Sequence, residues 1–182
     1  MREVHASLFQ SVDGVVESPD QWQFDHFDAD MGAMMTEAIS PIDDVLLGRV
    51  SYEQWSAFWP TVDGDDPFGS FINPVRKHVA SRTLTDPLAW ENASVIPSAL
   101  ESFVADLKEQ DGGRIAVQAS ISVVRQLLFA GLLDRLTLMV HPVVAGGGRH
   151  LFEPSDPVTR LELVRSVQTS SGNVLSTYAP RS

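Results

Sequence analysis

Short apolar runs alternate with helically spaced apolar residues along most of the chain. Val4–Phe9 is rich in bulky residues and alternates weakly, which favours a strand, and the Asp-Gly pair at 13–14 marks a turn after it. From Asp28 to Ile39 the apolar residues recur at helical spacing, until Pro41 stops the pattern. The beginning of the chain therefore predicts a strand followed by a helix.

The remaining elements follow from the same two patterns. Further predicted strands are Asp44–Arg49, Lys77–Ser81, Ser94–Ile96, Ile115–Gln118, Leu136–Val140, Leu161–Val167 and Val174–Tyr178. Further predicted helices are Ser51–Phe58, Leu100–Leu107 and Ile121–Leu128. Trp22–Phe27 is predicted as a loop that enters the first helix, and Thr61–Ser70 as a solvated loop rich in acidic residues, Gly and Pro.

The order of these elements predicts an α/β fold with a mostly parallel sheet. Strands that alternate with helices imply parallel strands with helices on both faces. The last two strands, on either side of Ser171-Gly172-Asn173, are expected to form an antiparallel hairpin at the sheet edge. Because the chain has no internal repeat and no long linker, residues 1–182 are predicted to form one domain.

Composition narrows the class of protein. The 182 residues carry 13 Lys and Arg against 24 Asp and Glu, a net charge of −11, which excludes the basic surface that nucleic-acid binding needs. The absence of cysteine excludes disulfides, thiolate nucleophiles and Cys-bound zinc. No secretory signal and no apolar segment of membrane length is visible, so we expect a soluble, cytoplasmic protein.

Junctions between a strand and the following helix are the candidate ligand sites, because ligands bind at the C-terminal strand ends of open α/β sheets. The first junction contains Gly48, Arg49 and Ser51. Free N–H groups and the dipole of a helix start attract anions, and Arg49 adds a guanidinium group. A plain helix cap formed by Ser51, with Arg49 in solvent, fits the sequence equally well.

Two more junctions have a similar character. Ser81, Arg82 and Thr83 follow a strand and suit a phosphate monoester such as the 2′-phosphate of NADP, although such a turn is also common on surfaces. Gln118-Ala119-Ser120-Ile121 leads from a strand into a helix, and by itself favours simple capping by serine. No G-x-G-x-x-G motif is present, so a conventional Rossmann site is not predicted.

Other residues carry weaker signals. The Gly146-Gly147-Gly148 run predicts either a ligand-contacting loop or a flexible turn. Trp22 and Trp55 belong to an aromatic group that is mostly core by default, yet either could line an apolar cleft. The 5 histidines show no metal-binding spacing, no G-x-S-x-G motif is present, and no catalytic residue is assigned.

Taken in order, several segments resemble the dihydrofolate reductase-like superfamily. The nearest group is built like the reductase domain of the bifunctional riboflavin-biosynthesis deaminase-reductase. The segments are Ser11–Gly14, Asp44–Glu53, Lys77–Thr83, Gly131–Leu136, His141–Gly148 and Leu151-Phe152. Each is short, but together they cover nearly the whole chain in the order of that group, whose fold is three-layered.

The resemblance implies NADPH-dependent reduction of a small molecule. It places Gly48, Arg49 and Ser51 at cofactor phosphate, and Ser81, Arg82 and Thr83 near the adenosine phosphate. Gln118, Ala119, Ser120 and Ile121 are expected to cradle the pyrophosphate. Asp13 and Gly14 match a mobile loop beside the nicotinamide. Gly146, Gly147 and Gly148 are expected near the substrate cleft or a dimer partner, and a homodimer is expected.

The chain departs from the family pattern in two ways. Ala119 stands where the family has a glycine, and its Cβ is expected to hinder close backbone approach. The zinc-deaminase motifs are absent, so the chain is not a complete bifunctional riboflavin enzyme.

Two hypotheses remain open. The first is a reductase of a small heterocyclic or carbonyl-type substrate, of the 5-amino-6-ribosylaminouracil reductase-like class, with the chemistry carried by the cofactor. The second is a non-catalytic nucleotide-binding or assembly module on the same fold. Binding a polyanionic cofactor despite the negative net charge requires Arg49 and Arg82, and with them Arg76 and Lys77, to gather on one rim.

Overall fold

An eight-stranded sheet forms the centre of the computed structural model, which describes residues 1–62 and 64–181, without the side chain of Phe24. The elements are β1 Val4–Ser11, α1 Ala29–Ile39, β2 Ile42–Gly48, α2 Arg49–Phe58, α3 Pro67–Ile72, β3 Arg76–Ala80, β4 Ala93–Val95, α4 Leu100–Glu109, β5 Arg114–Gln118, α5 Ile121–Phe129, β6 Arg135–His141, β7 Leu161–Gln168 and β8 Val174–Pro180.

The strand order is β4-β3-β2-β5-β1-β6-β8-β7. The strands from β4 to β6 are parallel to one another, whereas β8 is antiparallel to both β6 and β7. Both the mostly parallel sheet and the antiparallel C-terminal hairpin are thus confirmed. This topology places the C-terminal ends of β1, β2, β3 and β5 at one edge of the sheet, where the three candidate junctions lie.

The two faces of the sheet are covered unequally. On one face Val4, Ala6 and Leu8 of β1 are buried in a large core that includes α4 and α5. On the other face a smaller core, with Val45 and Tyr52 among its members, packs under α2 and α3. Because side chains alternate along a strand, the other residues of β1 point to this second face, and they lie outside the smaller core.

The short helix α3 begins inside the predicted loop Thr61–Ser70 and continues past it, so that prediction is corrected for residues from Pro67 onward. Asp63 of the same loop lies outside the described residues. Asp66 caps α3, since its Oδ1 accepts a hydrogen bond of 2.7 Å from the Gly69 N–H, and Pro67 occupies the first helical turn. Phe68 and Phe71 then pack against the smaller core. The turn residues mark a helix start rather than a loop.

Lys77 fixes the other end of α3. Its side chain is only 1% exposed, and Nζ donates to the carbonyl oxygens of Ile72, Asn73 and Val75 at 3.0, 2.7 and 2.7 Å. The same Nζ lies 4.6 Å from the ring centre of Trp90. Burial lowers the pKa of Lys77 to about 8.

The helix α1 is anchored to the C-terminal hairpin by its first turn. Asp28 caps the helix through the Met31 N–H at 2.7 Å and also accepts a hydrogen bond from the Ser171 N–H at 2.9 Å. Asp30 accepts another from the Ser170 N–H at 2.9 Å. Hydrogen bonds, with the Ser171 hydroxyl first, hold the pKa of Asp28 well below its usual range. These acids thus join the helix start to the turn between β7 and β8.

Candidate functional site

A cleft of about 2150 Å³ follows the C-terminal edge of the parallel strands and continues between α1 and the second face of the sheet. Residues from all three junctions line it. Of the residues predicted to hold a cofactor, these are Gly48, Arg49, Ser51, Ser81, Arg82, Thr83, Gln118, Ala119, Ser120 and Ile121. Trp55, predicted as a cleft residue, also lines it. The topology therefore brings together segments as far apart in sequence as Gly48 and Ile121.

The first junction leaves the start of α2 without a side-chain cap. The capping position is Gly48, which has no side chain, and Ser51 lies inside the helix. The Ser51 hydroxyl donates to the Ala119 carbonyl at 3.3 Å instead of capping its own helix. Arg49 is exposed and its Nη1 lies 2.9 and 2.8 Å from the two carboxylate oxygens of Glu53. This helix start therefore keeps N–H groups and a guanidinium group available to an anion.

The second junction is a tight turn stabilised by a serine. The Ser81 hydroxyl accepts hydrogen bonds from the N–H groups of Thr83 and Leu84 at 3.1 and 2.9 Å. The Arg82 side chain projects from this turn and is exposed. The turn thereby presents a guanidinium group and the Thr83 hydroxyl at the cleft.

The third junction has an unusual backbone. Ala119 has a φ of 52°, in the left-handed region that favours glycine. Ser120 is the capping residue of α5 but forms no side-chain cap. Its hydroxyl instead accepts a hydrogen bond of 2.8 Å from the Gly48 N–H and lies 3.0 Å from the Ser51 hydroxyl. The first and third junctions are therefore joined directly, with two uncapped helix starts side by side.

Asp13 and Gly14 lie outside this cleft. The Asp13 carboxylate accepts hydrogen bonds from the N–H groups of Ala145 and Gly146 at 2.9 and 2.8 Å, and from the Ser11 hydroxyl at 2.6 Å. These bonds, that of Ser11 foremost, lower the pKa of Asp13 to about 2. The observed contacts of Asp13 thus connect the loop after β1 to the glycine loop.

Trp22 and the glycine loop do not line the large cleft but a smaller pocket beside it, and Glu17, Ser18 and Gln21 line both. Trp22, Gly147 and Gly148 line a smaller pocket of about 220 Å³, and Gly146 is exposed next to them. Gly148 has a φ of 126°, and a Cβ there would lie 2.7 Å from Val15 Cγ1. The loop is therefore packed closely against the segment that follows β1.

Arg76 and Lys77 do not join Arg49 and Arg82 on one rim. Arg76 and Lys77 begin β3, whereas Ser81 and Arg82 follow its last residue. Arg76 and Lys77 therefore lie towards the edge of the sheet opposite to the junctions. Arg76 Nη2 donates a hydrogen bond of 2.8 Å to Asp44 Oδ2, and Lys77 is buried. The expectation that all four cations gather on one rim is thus corrected: only Arg49 and Arg82, of these four, line the cleft.

The second half of the cleft contains residues that sequence reasoning did not assign to a site. Apolar side chains line it from the sheet and from α1: Phe9, Met139, Leu175, Met34, Met35 and Ile39. Ser7, Thr137 and Thr177 add hydroxyl groups, and the two threonine Oγ1 atoms lie 2.9 Å apart. The available signals were the residues alternating with the core of β1 and the methionine spacing of the first helix.

No group of three or more His, Cys, Asp or Glu is placed to hold a metal ion, within residues 1–62 and 64–181. No helix in the same residues is long and apolar enough to cross a membrane.

The sheet order, with the antiparallel hairpin at its edge, is that of a dihydrofolate reductase-like fold. The model of the family described as RibD C-terminal domain matches residues 2–175, and the chain belongs to this family. The protein YyaP of Bacillus subtilis (strain 168) is 28% identical over 183 residues, which cover 97% of this chain and 94% of the relative.

Solved structures show the same fold. A candidate riboflavin biosynthesis protein from Shewanella sp. PV-4 has a TM-score of 0.77 at 19% identity, with 99% of each chain covered. Dihydrofolate reductase from Enterococcus faecalis, complexed with NADP(H), has a TM-score of 0.63 at 18% identity, over 99% of this chain and 97% of that chain. The chain therefore has a reductase-like fold.

Proposed function

We propose that this protein is an NADPH-dependent reductase of a small heterocyclic or carbonyl-type molecule. The observation that carries this proposal is the meeting of the three junctions along one wall of one cleft, with Arg49 and Arg82 exposed there. Membership of a reductase-like family supports it. The opposite half of the same cleft is apolar and large enough for a flat ring beside the cofactor.

The residues present fit a dinucleotide with a 2′-phosphate. The uncapped starts of α2 and α5 lie side by side, and such N–H groups bind pyrophosphate. Arg82 with the Thr83 hydroxyl suits the phosphate monoester that distinguishes NADPH from NADH. Arg49 is available after its exposed pair with Glu53 is released, which costs about 0.3–0.5 kcal/mol for an i,i+4 pair.

The chain contributes binding, orientation and exclusion of water to the reaction. NADPH, when bound, supplies a hydride from its nicotinamide ring. Phe9 and Met139 provide an apolar surface for the acceptor, and the paired threonines 137 and 177 orient its polar groups. Among the described residues, no carboxylate rises from the strands that form the cleft floor. We therefore assign to solvent water the one proton that accompanies the hydride.

The first test is the thermal stability of the purified protein titrated with NADPH and NADH. We expect NADPH to stabilise the protein at lower concentration than NADH. Arg82→Ala should weaken NADPH binding about tenfold and leave NADH binding unchanged, because only NADPH carries the phosphate that Arg82 would bind. Arg160→Ala, at an exposed arginine outside the cleft, is the matched control.

The outcomes separate the alternatives. An equal response to both cofactors in the wild type would contradict the role of Arg82. No response to either cofactor would reject the reductase proposal. NADPH binding without oxidation by any heterocyclic, carbonyl or quinone acceptor would favour the non-catalytic nucleotide-binding module on the same fold.

A further inference from the structure

Basic side chains line the end of the cleft at the starts of β1 and β5. His5 of β1 lies directly across from Arg135 of β6 and from Ala116 of β5. Arg114 is two residues before Ala116 and shares its face of the sheet. His5, Ala116 and Arg114 all line the cleft. Ala116, between them on this face, contributes only a methyl group and is buried.

Carboxylates balance this charge only in part. Glu3 Oε2 lies 2.9 Å from His5 Nε2, and Glu3 Oε1 lies 3.7 Å from Arg135 Nη2. Within the described residues, Arg114 has no carboxylate at ion-pair distance, and its side chain is half-buried. Glu37 of α1 also lines the cleft but is exposed. A half-buried guanidinium group without a carboxylate partner favours an anionic ligand.

We propose that His5 and Arg114 bind an anionic group of the substrate, a carboxylate or a phosphate monoester, while its flat apolar body lies over Phe9 and Met139. This inference rests on the proposed function, because it uses the same cleft. His5 and Phe9 are four residues apart on one strand, or about 13 Å. The substrate is therefore an elongated molecule with an unsaturated ring at one end and an acid at the other.

The protonation of His5 links the site to its ligand. Burial lowers the pKa of His5, and the charges of Arg114 and Arg135 lower it further, whereas Glu3 raises it. Glu37, on the helix α1, also lines the cleft and carries a negative charge. An anion bound between His5 and Arg114 stabilises the imidazolium form, so it must raise the pKa of His5.

The test follows the ring resonances of His5 by NMR, assigned from their loss in His5→Gln. The probes are cinnamate, a flat unsaturated carboxylate, and inorganic phosphate. We expect both to shift the His5 resonances and to raise the pKa of His5. Arg114→Gln should weaken binding about tenfold or more, and Arg114→Lys by less, because it keeps the charge without the planar fork. Arg160→Gln should bind like the wild type.

The result also separates this inference from the proposed function. Unchanged His5 resonances with both probes, or equal affinity in wild type and Arg114→Gln, would overturn the inference. Phosphate bound at the starts of α2 and α5 should be unaffected by Arg114→Gln, so the dependence of the His5 shift on Arg114 identifies binding at this end. NADPH binding is measured in a separate titration, and its absence would reject the reductase proposal. The anion site would still be decided by the His5 resonances.

Discussion

Ala119 holds a left-handed backbone, with a φ of 52°, at the point where β5 turns into α5. A side chain in that conformation crowds the backbone carbonyl, at a cost of about 1–2 kcal/mol. The resemblance predicts a glycine at this position, and the positive φ is a conformation that favours glycine. The sequence could not show that the alanine keeps the turn, because the surrounding hydrogen bonds of Ser51 and Ser120 hold the strained residue in place.

Ala119→Gly should therefore stabilise the protein. Glycine removes the strain but gains freedom in the unfolded chain, so we expect a net gain of about 1 kcal/mol, or a rise in Tm of about 2–4 °C. The matched control is Ala130→Gly at the other end of α5, where φ is −81° and glycine should lower the Tm. Thermal unfolding followed by circular dichroism measures both. A lower Tm for Ala119→Gly would show that the turn carries no strain.

At the scale of elements, two loops are joined at the C-terminal end of β1. Asp13 binds the N–H groups of Ala145 and Gly146, and Val15 forms an isolated bridge with His150. The glycine loop therefore moves with the segment that follows β1. The sequence indicated the flexibility of three glycines but not this connection, because it depends on a contact between residues more than a hundred positions apart.

Gly148→Ala should loosen this connection. Its Cβ would lie 2.7 Å from Val15 Cγ1, and its φ of 126° is strained for alanine, so we expect a loss of about 1–3 kcal/mol. Gly147→Ala is the control, since a Cβ there meets no atom within 4 Å. Urea unfolding measures the stability, and hydrogen exchange of residues 145–150 measures the loosening. Equal behaviour of the two variants would contradict the close packing.

The elements themselves were largely predictable, because local periodicity determines them. The strands and helices occur where the apolar pattern places them, apart from α3, whose Asp66-Pro67 start resembles a loop in sequence. The second half of the cleft was not predictable. Its floor is formed by residues of β1, β6 and β8 that meet only through the sheet order, and no local pattern reports that order.

At the scale of the whole molecule, the chain has few cations and a large negative net charge. Arg49 and Arg82 lie on one wall of the cleft, and Arg114 lines it where β5 begins. Lys77 is instead buried under Trp90, where it supports α3 and β3 together. Its charge therefore affects the stability of the fold rather than the cleft.

The stability of the protein should rise between pH 8 and pH 10. The folded state lowers the pKa of Lys77 from 10.5 to about 8, so the unfolded chain binds more protons in this range and deprotonation favours the folded state. We expect this group to contribute on the order of 2 kcal/mol of added stability. Urea unfolding followed by tryptophan fluorescence at several pH values measures the slope.

Lys77→Met provides the comparison. This variant should be less stable at pH 7 by about 1–3 kcal/mol, because it leaves three backbone carbonyl groups without their donor. It should also lose the rise in stability above pH 8. The same slope in wild type and variant would assign the pH dependence to other groups.

Because the two sheet faces are covered unequally, the residues that hold the fold together lie on one face and the residues that line the cleft lie on the other. The large core beneath α4 and α5 holds the strands together from one side, while Ser7, Thr137 and Thr177 emerge on the other side, under the cleft. Substitutions at these floor positions leave the large core intact. A chain built in this way can diverge in what it accepts while its architecture stays constant, and relatives of low sequence identity can share one scaffold yet process different metabolites.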